Sequence, residues 1–227
     1  MAFYTSEVMT GAPASFKSDT QKLIYDSLEA AGIPYTRIES DPGVSMDDCL
    51  NIDKAFGIDT VKTILLTNRQ KNKFWLYVTH ARKPFITKEF GASLQIPRVS
   101  FADEELMKQI LGTPHGAATP FALLRPEAAE VTFVMDSDVA ARDKIVLTDG
   151  DACGFIAIAN RDLFTLLNRT PTLIENPAPI LPGYSSASPR PKHPGCMDCL
   201  ISNELSPRPD GFKYQGLVAT VYFLSTT

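Results

Sequence analysis

Two runs near the middle of the chain limit its fold most sharply. Val61–Thr67 (VKTILLT) and residues 74–79 (FWLYVT) are rich in β-branched and aromatic residues, and a short polar stretch, 68–72, joins them. Such side chains pack well on a pleated surface. A brief polar link returns the second run beside the first, so the pattern predicts an antiparallel hairpin. Helical signals precede it. In residues 19–31, Leu23, Ile24, Leu28 and Ala31 recur on one face, Gly32 supplies a stop, and Pro34 prevents continuation. Residues 35–39 read as a short strand. Ser45 with Asp48 is a capping pattern for a helix that Gly57 ends.

Beyond the hairpin, residues 87–94 predict a short helix. Ser100 with Asp103 resembles a capping box for a helix running to Leu111, with Gly112 just past its end. Residues 112–120 (GTPHGAATP) are too rich in glycine and proline for regular structure, and they lead into 121–124. Strands fit 131–135, 144–147 and 154–158, and a helix fits 161–167. Strands outnumber helices, links are short, and strict βαβ alternation is absent. The expected class is α+β, a mixed, largely antiparallel β-sheet surrounded by short helices. Composition shifts at Pro171, after which proline and serine dominate as far as Pro209, and 212–224 alternates like one last strand. The expected organisation is a loose segment over 1–15, one domain over 16–170, and a Pro/Ser-rich extension over 171–227.

The chain is 44% apolar and 21% charged, as a globular protein of its length is. No apolar run reaches the roughly 18 residues of a membrane span, and the first twenty residues lack the basic and apolar blocks of a secretory signal, so a cytoplasmic location is expected. There the thiols of Cys49, Cys153, Cys196 and Cys199 stay reduced. A net charge of −4 does not favour a nucleic-acid binder, and the distribution of charge matters more than the sum. From 62 to 98 the cations are Lys62, Arg69, Lys71, Lys73, Arg82, Lys83, Lys88 and Arg98, against the single acid Glu89. Arg69, Lys71, Lys73, Arg82 and Lys83 are the candidate polyanion-binding face, and the same pattern suits a solvated edge hairpin whose lysines deter aggregation.

No G-x-S-x-G, phosphate loop, G-x-G-x-x-G or H-E-x-x-H signature occurs, and His80, His115 and His193 are too scattered to propose a triad. The 112–120 loop is the most informative segment. Its glycines admit close backbone approach, and its prolines stiffen the path, so it can aim N–H groups at a carbonyl or oxyanion. It equally suits a tight helix-to-strand connection. Lys62, inside an apolar run, either points to solvent or holds a phosphate as a point charge. In the tail, His193, Cys196 and Cys199 form an H-x-x-C-x-x-C half-site for zinc that lacks a fourth ligand, so no metal is expected.

These features fall in an ordered series. AGIPY (31–35), VKTILLTNRQKNKFWLYV (61–78), GAATPFAL (116–123), VTFVMD (131–136) and IAIANRDLFTLL (156–167) together resemble the YbaK and prolyl-tRNA-synthetase-associated editing-domain family over residues 23–167. The layout is most similar to its free-standing alanyl-tRNA(Pro) deacylase branch. The resemblance implies hydrolysis of a mischarged aminoacyl-tRNA without a cofactor. The implied partners are the acceptor end of tRNA and a prolyl-tRNA synthetase, and neither DNA nor a membrane. It assigns catalytic roles to Lys62, which would hold the 3′-terminal adenosine near its phosphate, and to Gly116 of the substrate loop. Thr63, Ile64, His115, Ala117, Ala118, Thr119, Pro120, Phe121 and Thr148 are the implied substrate contacts. Ile64, Phe121 and Leu123 are candidate pocket walls or ordinary core. The backbone of 116–119 would orient the amino acid, and water, aided by a ribose hydroxyl, would attack the ester. Thr63 stands where the branch carries Asn, and Thr148 where it carries His. Removal of cysteine or serine, or tRNA or protein binding without hydrolysis, are the competing readings.

Overall fold

The structure, a computed structural model, describes residues 3–42 and 46–180. Ser45, the tail residues His193, Cys196 and Cys199, and the alternating run 212–224 lie outside the described residues. Helix α1 (Asp19–Ala30) starts where the Ser18 hydroxyl accepts from the Gln21 N–H, and Gly32 follows at φ +61°. Ile24, Tyr25 and Leu28 are buried, whereas Ala31, expected on the apolar face, lies past the helix and is exposed. Strand β1 (Thr36–Glu39) and helix α2 (Met46–Phe56) come next. The hairpin is strands β2 (Val61–Thr67) and β3 (Phe74–His80), paired antiparallel along their whole length.

Helix α3 (Thr87–Ser93) and a two-residue strand β4 (Ser100–Phe101) follow. Ser100 is therefore not a cap. Asp103 takes that role, accepting from the Leu106 N–H at 3.0 Å and opening helix α4 (Glu104–Leu106). The helix widens into a π-helical turn (Met107–Leu111), which Gly112 ends at φ +62°. The loop then enters a 3₁₀ turn, Pro120–Leu124. Strand β5 (Thr132–Asp136), helix α5 (Ser137–Ala140), strands β6 (Lys144–Thr148) and β7 (Gly154–Ala159), helix α6 (Asn160–Leu167) and strand β8 (Thr172–Ile174) complete the order.

The strands form two sheets. One is antiparallel, in the order β1-β7-β6, and the other is mixed, in the order β4-β2-β3-β5-β8. Parallel pairing of β3 with β5, and of β5 with β8, makes the second sheet mixed. Strand β8 lies past Pro171, so the sheet runs into the expected extension. The segment expected to be loose at the N-terminus is fastened to β1, with Thr5 bridging Ser40 and Met9 bridging Arg37. Alternation sorts the side chains. Leu65, Leu76, Val78, Phe133 and Met135 meet Ile145, Leu147, Ile156 and Ile158 in the main core, with α1 and α6 closing it. Ile64, Leu66, Trp75 and Tyr77 point to the other side of the mixed sheet, where Phe90 of α3 packs. Val146 and Phe155 point away from the core toward Ile52 of α2. Among the described residues no helix is long and apolar enough to cross a membrane.

Two polar anchors fix the end of β6 and the start of the loop. The buried Asp149 carboxylate accepts from Gln21 Nε2 and Tyr25 Oη of α1, each at 2.9 Å. Arg125 NH1 donates to Thr20 Oγ1 at 3.0 Å, directly over Gly112, where an added Cβ would stand 2.3 Å from Thr20 Oγ1. Gly112→Ala therefore meets both left-handed strain and a collision. We expect it to lower the unfolding free energy by about 1–3 kcal/mol, read from urea denaturation.

Candidate active site

Lys62 lies next to the first residue of β2, opposite Thr79 of β3. Alternation puts it on the side of Ile64, while Thr63 shares the side of Leu65. The Lys62 side chain is half-buried, and its Nζ donates to the carbonyl oxygen of Lys83. Burial lowers its pKa to about 8, and Cys49 on α2 partly offsets the fall. Among the described residues its ammonium forms no ion pair. A half-buried charge bonded to a neutral carbonyl keeps its attraction for an anion.

The loop is built from its own turn. Ala117 N–H donates to Pro114 O at 3.2 Å, and Gly116, third in that turn, has φ +85°. A side chain there would be strained, which explains the glycine. Thr148 Oγ1, at the end of β6, lies 3.1 Å from Ala117 O and 3.3 Å from Ala118 O and supplies their hydrogen bond. Thr148, Ala117 and Ala118 are thus brought together, and the loop atoms engaged are carbonyls. Ala117, Thr119 and Phe121 are fully buried, while His115 is exposed. Thr113 Oγ1 and Thr119 Oγ1 are buried without a hydrogen-bond partner among the described residues. Each such group costs about 1–3 kcal/mol, which the surrounding packing offsets.

Helix α2 and strand β6 link the lysine to the loop. Cys49 of α2 acts on Lys62, and Ile52, one turn further on, packs on Val146, two residues before Thr148. The pocket-wall expectation needs correction. Ile64 is buried on the α3 side of the mixed sheet, whereas Phe121 and Leu123 are in the main core, so a sheet separates them. Hollows are lined by Tyr77, Phe85, Phe90 and Ile174, and by Asp136, Asp138, Glu175 and Asn176; neither lining includes Lys62 or residues 116–120.

The basic stretch is also divided. Arg69, Lys71 and Lys73 are exposed at the hairpin tip, where Lys71 pairs with Asp103 at 2.6 Å. Lys62 lies five residues down the ladder, roughly 17 Å away at strand spacing. Arg82 is partly buried and pairs with Asp59 at 3.3 Å. Lys83 is not on a polyanion-binding face at all. Its side chain is 4% exposed and ion-paired with Asp136 and Asp138, because a buried ammonium needs acceptors more than it needs water. Sequence reasoning missed this cluster. Its traces were Lys83, counted with the surface cations, and Asp136, the last residue of VTFVMD. Among the described residues no group of His, Cys, Asp and Glu could hold a metal ion.

Comparison with known proteins assigns the family. Residues 45–166, more than half of the chain, match the model of the aminoacyl-tRNA editing domain. The chain belongs to the aminoacyl-tRNA editing domain family. It is an aminoacyl-tRNA deacylase, a carboxylic ester hydrolase. The prolyl-tRNA editing protein ProX of Acetoanaerobium sticklandii is 26% identical over 145 residues, covering 64% of this chain and 88% of that protein. Among solved structures, a candidate trans-editing enzyme for prolyl-tRNA synthetase superposes with a TM-score of 0.55 at 13% identity, over 71% of this chain and 98% of that one. The hypothetical protein APE2540 gives 0.54 at 16% identity, over 67% and 97%. At these identities the structural likenesses speak for the fold.

The Thr148 hydroxyl is the tie between β6 and the loop. Thr148→Val keeps the shape and removes the donor. We expect a loss of about 1 kcal/mol in stability, and faster amide exchange over residues 116–119 by hydrogen–deuterium exchange.

Proposed function

We propose that this editing hydrolase removes alanine from mischarged tRNA(Pro), acting free-standing in the cytoplasm alongside a prolyl-tRNA synthetase. The observation that carries the reading is the half-buried ammonium of Lys62 at the start of β2, which among the described residues bonds a carbonyl and forms no ion pair, at the position where the family's functional lysine falls. The aminoacyl ester is already activated, so positioning and charge stabilisation supply most of the catalysis. Lys62 holds the terminal adenosine near its phosphate. The backbone of Gly116, Ala117, Ala118 and Thr119, fastened by Thr148, orients the amino acid. Water attacks the ester carbon, aided by a ribose hydroxyl of the substrate, and the tRNA hydroxyl leaves.

A synthetase shaped for proline rejects a smaller amino acid by only about 1–3 kcal/mol per methylene, so a second, smaller site is needed to correct the error. Thr63 and Thr148 stand where the alanine-removing branch carries Asn and His, a departure that bears on specificity and motivates a second reading: the same hydrolysis applied to another amino acid, such as cysteine or serine. A panel of charged tRNAs decides between them. We expect Ala-tRNA(Pro) to be hydrolysed and Pro-tRNA(Pro) spared, and Lys62→Ala to lose about 100-fold in kcat/KM with an unchanged melting temperature. Preferential release of cysteine or serine would select the second reading. Hydrolysis of no aminoacyl-tRNA would overturn both.

The charge on Lys62 sets the pH dependence. A lysine titrating near 8 is cationic below that pH and neutral above it. The enzymatic rate, after subtraction of spontaneous ester hydrolysis, should therefore fall as pH rises through about 8. A rate that climbs steadily from pH 7 to 9 would argue against a role for the charge.

A further inference from the structure

We propose that Lys83 and Asp136 are positioning residues for the editing reaction, forming a buried brace that sets where the Lys62 ammonium stands. The inference rests on the reading of Lys62 given above and extends it to residues that touch no substrate. Lys83 Nζ donates to Asp136 Oδ2 at 3.1 Å, to Asp138 Oδ2, and to the carbonyl of Asn176 at 2.9 Å. Three acceptors for three protons fix the side chain. The main chain of the same residue is fastened too, with Lys83 N–H donating to His80 O at 3.1 Å. The carbonyl that receives the Lys62 proton therefore belongs to a residue held at both ends.

Asp136 reaches Lys62 by a second route. Its Oδ2 also accepts from Thr79 Oγ1 at 2.8 Å, and Thr79 is the cross-strand partner of Lys62. Asn176 closes the ring, donating from Nδ2 to Pro84 O at 3.2 Å. Asp136 is 0% exposed and Lys83 4%, so the brace is rigid in a way that a surface pair is not. Among the described residues Lys62 Nζ donates to one neutral acceptor, and that acceptor is placed by the Lys83–Asp136 pair. A flexible four-carbon stem otherwise samples many rotamers, and an ammonium misplaced by about 1 Å can cost up to 100-fold in rate.

The test removes the brace without leaving a lone buried charge. The double variant Lys83→Met/Asp136→Asn deletes both charges together, which spares the fold the penalty of either single change. Asp138→Asn, at a side chain that is 69% exposed, is a milder arm that folds in any case. Two measurements are made on the full chain: deacylation of the tRNA that the wild-type enzyme hydrolyses best, and the ¹⁵N signal of the Lys62 ammonium, assigned by its disappearance in Lys62→Ala. We expect the double variant to lose between about 10- and 100-fold in kcat/KM, and its Lys62 signal to merge with those of solvent-exposed lysines. Asp138→Asn should broaden the same signal and cost a few-fold in rate. An unchanged Lys62 signal in either variant, or an unchanged kcat/KM in the folded double variant, overturns the brace. Full activity in Lys62→Ala overturns the underlying reading of Lys62, and the brace with it. Loss in Lys62→Ala with none in the double variant overturns the brace alone.

Discussion

Lys83 carries an ammonium group into a place where 4% of its side chain meets solvent. A charge persists there only when its protons find acceptors, because the desolvation penalty is several kcal/mol. The acceptors come from three parts of the chain: Asp136 at the end of β5, Asp138 in the first turn of α5, and the Asn176 carbonyl just past β8. Satisfying one lysine therefore docks β5, α5 and the chain after β8 against the end of the hairpin. The same residue offers its carbonyl to Lys62.

The loop over residues 112–120 depends on a second economy of polar groups. Buried Asp149 draws hydrogen bonds from Gln21 and Tyr25, which seats α1 beside the β6–β7 turn. Thr148, one residue earlier, then meets the carbonyls of Ala117 and Ala118. Gly116 and Gly112 supply the positive φ angles that let the loop fold down onto the core. Between Lys62 and that loop lies α2, with Cys49 near Lys62 and Ile52 on Val146.

Elements with strong periodicity are legible in the sequence. The β2–β3 hairpin, α1 and α6 follow from side-chain shape and spacing over short range, and their limits shift by only a residue or two. Less legible were elements whose partners are remote. Strand β8 sits among prolines and exists because β5 offers it an edge. Asp103, and not Ser100, caps α4, because Ser100 pairs with Thr67 in the sheet. The π-helical turn before Gly112 has no periodic signature of its own.

Residue types and their order settled which chemistry the chain belongs to, since the motif series is a property of the polymer and survives without distances. The sequence also placed Lys62 on a strand and Gly116 in a stiff loop. It left open which charges are spent on folding and which remain for a ligand, because that depends on neighbours far away in the chain. Lys62 and Lys83 read alike in the sequence as cations flanking one hairpin. Tertiary structure alone separates them: Lys83 is paired with acids brought up by parallel strand pairing, and Lys62 faces a carbonyl with no ion pair among the described residues. Tertiary structure likewise put Ile64 and Phe121 on opposite sides of a sheet, since strand alternation and sheet packing, rather than hydrophobicity, decide what an apolar side chain faces.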